Sequence, residues 1–209
     1  MRKIKDHSLY LVISEEYGKG RDALAIARLA IAGGVDMIQL REKHKPENEL
    51  ARLGMKLCKL CKEVGVIFIV NDDPVLAKDL DADGVHLGQE DLKMYSVKSA
   101  RRIIGKGRII GISTHLLEQF KKANSEDVDY IAFGPIFATK TKDYHVGTGD
   151  VDQVLKIARK PVFFIGGINL SNIDEILSKG AKNTALIRGI LEADDITART
   201  KEFKNRLKG

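Results

Sequence analysis

Residues 134–149, GPIFATKTKDYHVGTG, set Thr139 and Thr141 among lysines and glycines directly after an apolar run, DYIAFGPIF, that reads as a buried strand. A long polar segment at that place in a compact domain argues for a working loop. Hydroxyls, ammonium groups and exposed backbone N–H groups together suit a phosphorylated ligand. Two later stretches, IGG at 165–167 and LIRG at 186–189, fit the same ligand. Glycine lets backbone N–H groups approach a phosphate closely, and a following helix adds its dipole. Glycines that only make tight turns are the plainer alternative.

Three other stretches concentrate charge. QLREK places Gln39, Arg41 and Lys43 on one side of a strand by the two-residue period. Polar groups facing an interior must be paired or bound to ligand, so an ion network competes here with a binding site. VNDD supplies Asn71, Asp72 and Asp73, and either aspartate could cap a helix that opens at Pro74. HLGQED supplies His86 and Asp91. Asp72 and Asp91 on adjacent strand ends would make a hard, oxygen-only site suited to Mg2+, which takes one or two carboxylates plus phosphate oxygens. His86 and His115 read as hydrogen-bonded interior or rim residues, and no Cys/His spacing suggests zinc. Cys58 and Cys61 form a lone CxxC inside a helical pattern; they read as small apolar residues on its inner face.

The elements that must position these groups alternate regularly. Strand-like runs at 8–14, 36–42, 67–72, 84–88, 108–114, 129–136, 161–167 and 183–190 are each followed by a helical pattern, the longest from Pro46 to about Val64. Short apolar strands alternating with helices imply a parallel sheet covered on both faces. Eight such units imply an α/β fold, a single-domain (β/α)8 TIM barrel, over residues 1–209. The turn after the first strand, EEYGKG, lacks the glycine fingerprint of an open doubly wound sheet. In such a barrel the site lies at the C-terminal ends of the strands, and the polar residues above gather at that one rim.

Composition narrows the classes. The chain has 209 residues, 44% hydrophobic and 31% charged, enough for a sizeable core. No apolar run reaches the roughly 20 residues of a membrane helix, and the N-terminus reads as a first strand without a cleavage site. The net charge of +6 is spread over many segments, which favours small anionic ligands over nucleic acid. Cysteine usage shows no disulfide framework, as expected in the cytoplasm. A homo-oligomer stays open.

In order along the chain, QLREK, VNDD, DGVHLGQEDL, GIST, GPIFATKTK, FIGGI and LIRGI resemble the thiamine-phosphate synthase family over roughly residues 8–190. The resemblance implies Mg2+-assisted coupling of 4-amino-2-methyl-5-pyrimidinylmethyl diphosphate to 4-methyl-5-(2-phosphoethyl)thiazole (or its 2-carboxylate). It implies that Arg41, Lys43 and Asn71 hold the pyrimidine diphosphate, that Asp72 and Asp91 ligate Mg2+, and that Gln39 and Ser113 line the pyrimidine pocket. Thr139 and Thr141 would bind the thiazole phosphate and Lys142 the diphosphate; backbone at Gly167, Ile187 and Arg188 would complete the phosphate cradle. Arg41, Lys43, Lys142 and Ser113 form the implied catalytic set. Apart from the resemblance, the loop at 134–149 could close over both substrates with Gly147 and Gly149 as hinge positions. Two departures stand out: Ala138 where the family commonly has proline, and Arg188 where it often has serine. A thiazole tautomerase-like isomerase and a non-catalytic thiazole-phosphate-binding regulator are the alternatives.

Overall fold

The computed structural model describes residues 3–139 and 144–209. Eight strands alternate with helices: β1 (Leu9–Ile13), α1 (Ala23–Ala32), β2 (Met37–Leu40), α2 (Glu47–Val64), β3 (Ile67–Asn71), α3 (Pro74–Asp79), β4 (Gly84–Leu87) and α4 (Val97–Ile104). They continue as β5 (Ile109–Thr114), α5 (Leu117–Ser125), β6 (Tyr130–Phe133), α6 (Val151–Ile157), β7 (Val162–Ile165), α7 (Ile173–Leu177), β8 (Asn183–Leu186), α8 (Arg188–Leu191) and α9 (Ile196–Lys208). The strands are parallel and close into a barrel in sequence order, with β1 completing the ring against β8. This is the expected (β/α)8 architecture. No helix among the described residues is long and apolar enough to cross a membrane.

Strand alternation divides the core. Outward residues such as Leu9, Leu11, Ile13, Phe68 and Val70 pack against the helices. Inward residues such as Tyr10, Met37, Ile69, Tyr130 and Phe163 fill the barrel. The strands are shorter than the apolar runs suggest. Hydrophobicity continues past the last ladder hydrogen bond, because the chain is still buried where it leaves the sheet. The run at 183–190 is the clearest correction: β8 stops at Leu186, and Arg188–Leu191 form a short helix.

The N-terminal face is stapled by acids and one amide placed just before or at the start of strands. Asp36 accepts from Leu9 N–H, Asp83 from Phe68 N–H, Asp129 from Ile110 N–H, and Asn183 from Ser8 N–H, at 2.7–2.9 Å. These bonds satisfy strand-end donors and leave the opposite rim free for chemistry. Local signals behave as read: α2 begins after Pro46 and stops at Gly65 in the left-handed conformation (φ 78°). Cys58 and Cys61 are buried on α2; the Cys58 thiol donates to the Leu80 carbonyl at 3.2 Å.

Candidate functional site

A cavity of about 880 Å³ opens at the C-terminal rim. Arg41, Lys43, Asn71, Asp72, Asp91 and Ser113 line one side of it; Thr139, Gly167, Ile187 and Arg188 line the other. Thr141 and Lys142 lie outside the described residues. Gln39 is brought to the barrel but not to the cavity wall: it is 3% exposed, and its amide donates to the Tyr10 hydroxyl at 2.5 Å. The strand period carries Gln39 inward, yet β2 ends at Leu40, so Arg41 and Lys43 project from the loop beyond it. Among the described residues neither cation is in an ion pair. Among these residues the structural ion network therefore has no ion pair to support it, and both cations line the cavity.

At the end of β3 the two aspartates divide the work. Asp73 caps α3, its carboxylate accepting from Val75 and Leu76 N–H at 2.9 Å, with Pro74 in the first turn. Asp72 is thereby released from capping and turned toward the cavity. Its backbone is left-handed (φ 65°), a conformation that is uncommon outside glycine and clusters at functional sites. Its N–H bonds the His86 carbonyl at 2.8 Å, and its carboxylate accepts from the Asn71 amide. Burial, followed by the adjoining Asp91 carboxyl, pushes the Asp72 pKa up to about 7, with Lys43 and Asn71 opposing. The neighbouring Asp91 carboxyl thus adds to burial in disfavouring the charged form of Asp72. The Asp91 carboxylate accepts from Gly88 N–H at 3.0 Å, and a Cβ at Gly88 would stand 2.6 Å from it.

Across the cavity, Gly166 (φ 96°) and Gly167 (φ 66°) turn the chain after β7. A Cβ at Gly167 would meet the Ala138 and Phe137 carbonyl oxygens at 2.5 and 2.7 Å. Glycine therefore lets the loop carrying Thr139 pack directly on this turn, secured by Phe137 N–H to the Gly166 carbonyl at 3.0 Å. The Ile187–Arg188 backbone opens α8 beside it, the short extra helix that commonly completes a phosphate site in this architecture. The Arg188 side chain is already engaged. It pairs with Glu192 at 2.5 Å and lies 5.3 Å from the Tyr17 ring centroid.

His86 and His115 are hydrogen-bonded residues. His115 Nδ1 meets the Gly134 carbonyl at 2.5 Å; His86 bridges Tyr130 and Ser113, both at 2.8 Å. Burial holds the His86 pKa down to about 4 from 6.5, against the raising pull of Asp91 and with Arg41 assisting. The unfolded chain therefore takes up a proton near pH 6.5 that the fold refuses until about pH 4, so this contribution to stability is full above 6.5 and lost as pH falls toward 4. We expect denaturant titrations to show His86→Gln losing less stability than wild type between pH 7 and 4, by up to about 3 kcal/mol. Equal losses in both proteins would contradict it.

Tyr144 also lines the cavity, with no local pattern in the sequence to mark it. Tyr10 and Tyr130 lie buried beneath, where strand alternation turns both inward.

Residues 9–190 match the sequence profile of the family described as "Thiamine monophosphate synthase". The thiamine-phosphate synthase of Persephonella marina (strain DSM 14350 / EX-H1) is 41% identical over 202 residues, covering 96% of this chain and 95% of that protein. That of Halalkalibacterium halodurans is 38% identical over 207 residues, covering 98% and 97%. The solved structure of thiamine phosphate pyrophosphorylase from Pyrococcus furiosus superposes with a TM-score of 0.87 at 30% identity, over 97% of both chains. In sequence, in length and in fold, the chain belongs to the thiamine monophosphate synthase family of transferases.

Proposed function

We propose that this cavity joins a pyrimidinylmethyl diphosphate to a phosphorylated thiazole, forming thiamine phosphate and releasing diphosphate. The observation that carries the reading is the pairing of two anion-binding walls across one cavity: Arg41, Lys43 and the Asp72–Asp91 carboxyls face the glycine turn and the opening of α8. One wall suits a diphosphate with a divalent cation, and the other a phosphate monoester.

Asp72 and Asp91 fit Mg2+. Two neighbouring carboxyls that disfavour each other's charge would be relieved by a dication, which Asp72 and Asp91 would hold together with substrate phosphate oxygens. When bound, Mg2+ would neutralise charge on the departing diphosphate. Arg41 and Lys43 act on the same charge as it develops, Lys142 is assigned to the same diphosphate, and Asn71 orients the group. The carbon–oxygen bond breaks with its electron pair leaving on diphosphate. The aminopyrimidine ring stabilises the resulting cation against Ser113, and the thiazole nitrogen closes the new carbon–nitrogen bond with its own lone pair. Thr139, Thr141 and the backbone at Gly167, Ile187 and Arg188 hold the thiazole phosphate so that this nitrogen points at the cation. No protein nucleophile is required. The substrates are small soluble anions, and we place the reaction in the cytoplasm, without nucleic acid or membrane.

The test mixes the protein with Mg2+, the pyrimidine diphosphate and the thiazole phosphate. Equimolar diphosphate and thiamine phosphate are expected. Binding of both substrates without product would instead support a regulator, and isomerised thiazole a tautomerase.

A further inference from the structure

Below the cavity floor runs a continuous file of polar side chains that the coupling scheme leaves unexplained. The Gln39 amide Nε2 donates to the Tyr10 hydroxyl at 2.5 Å. The Tyr10 and Tyr130 hydroxyls are 2.9 Å apart, the Tyr130 hydroxyl is 2.8 Å from His86 Nδ1, and His86 Nε2 is 2.8 Å from Ser113 Oγ. The first four members are 3%, 1%, 0% and 7% exposed in that order. Tyr10, Tyr130 and Phe163 pack edge to face around the file, with centroids 5.3–5.8 Å apart. Gly111 makes the space: a Cβ there would fall 2.0–2.3 Å from the Tyr130 ring and hydroxyl.

Beyond the Gln39 amide, each member has one hydroxyl proton or, in a neutral imidazole, one ring proton. That count fixes a direction. Tyr10 accepts from Gln39, so its own proton must point to Tyr130. The Tyr130 proton is then directed at His86 Nδ1, which leaves the imidazole proton on Nε2, donating to Ser113 Oγ. The Ser113 proton is released toward the cavity. We infer that Gln39, Tyr10, Tyr130 and His86 are positioning residues that fix the Ser113 hydroxyl as a hydrogen-bond donor toward a lone-pair acceptor on the bound pyrimidine. The substrate half of this inference rests on the coupling reaction proposed above; the tautomer and proton direction do not. In this arrangement Gln39 reaches the ring through the file and not by lining the pocket.

The decisive measurement needs no substrate. Nitrogen-15 NMR of the histidine-labelled protein at pH 7, with the His86 signals assigned by their loss in His86→Gln, is expected to show a protonated Nε2 and a bare Nδ1. A protonated Nδ1 overturns the relay whatever the activity. Tyr130→Phe keeps the ring and removes the donor; it is expected to mix the two tautomers and lower kcat/KM by about 10- to 100-fold. Because Tyr130 acts through Ser113, the same substitution in a Ser113→Ala background is expected to cost less than about threefold. Equal losses in both backgrounds overturn the positioning role. Gly111→Ala, which displaces the phenol and its hydroxyl without removing any polar atom of the file, is expected to reproduce the Tyr130→Phe kinetics and tautomer mixing; an unchanged His86 tautomer in that variant counts against the file as built. If wild type forms no thiamine phosphate, the substrate assignment falls and the NMR result alone decides the relay.

Discussion

Asp72→Asn is expected to lose coupling activity by roughly 1000-fold while making the metal-free protein more stable at pH 8. The two effects have one origin. Asp72 is held left-handed, partly buried and beside Asp91, an arrangement that disfavours its own charge. Its folded pKa, about 7 against an ordinary 3.8, lies above the unfolded value. The stabilising contribution is therefore present at low pH and lost as pH rises from about 4 through 7. Asparagine removes the carboxylate, keeps an amide oxygen for Asn71, and tolerates the left-handed backbone.

The stability gained by Asp72→Asn should be near zero at pH 4 and reach about 2 kcal/mol at pH 8. That figure is roughly half of what the full shift implies, because solvent reaches the group. Over this range His86 changes wild-type stability in the opposite sense, so only the difference between variant and wild type isolates Asp72. Mg2+ should raise the melting temperature of wild type and not of the variant. A variant that keeps its activity in limiting Mg2+, or gains no stability at pH 8, would remove Asp72 from the metal-binding pair.

Arg41→Ala is expected to lower kcat by about 100- to 1000-fold, with a smaller effect on KM for the thiazole phosphate. Arg41 faces the cavity unpaired among the described residues, while Arg101, Arg108 and Arg206 are tied to aspartates. A guanidinium that lines the cavity without an ion-pair partner can meet charge that appears during reaction. The split is measured by steady-state kinetics with each substrate varied separately. Loss confined to KM for the pyrimidine diphosphate would make Arg41 a binding residue without a role in diphosphate departure.

Much of the fold was legible because its signals are local. Eight apolar runs, each followed by a helical pattern, state the barrel, and Pro46 and Gly65 mark both ends of α2. Strand ends were not legible. The run at 183–190 stays apolar past Leu186, and only the ladder to β1 and β7 shows where the sheet stops and α8 begins. In the VNDD stretch either aspartate could cap α3 by spacing; the geometry gave that task to Asp73 and sent Asp72 to Asp91.

Residue types and order alone determined the architecture, the rim at which chemistry collects, and the family, since periodicity and short motifs are written in neighbouring residues. The tertiary structure decided which groups touch. It set Asp91 on the Gly88 N–H and near enough to Asp72 to disfavour its charge, withdrew Gln39 beneath the cavity, and joined it to Ser113 through Tyr10, Tyr130 and His86. Such contacts link residues far apart in sequence, and their partners are set by barrel register and by the absence of a side chain at single glycines.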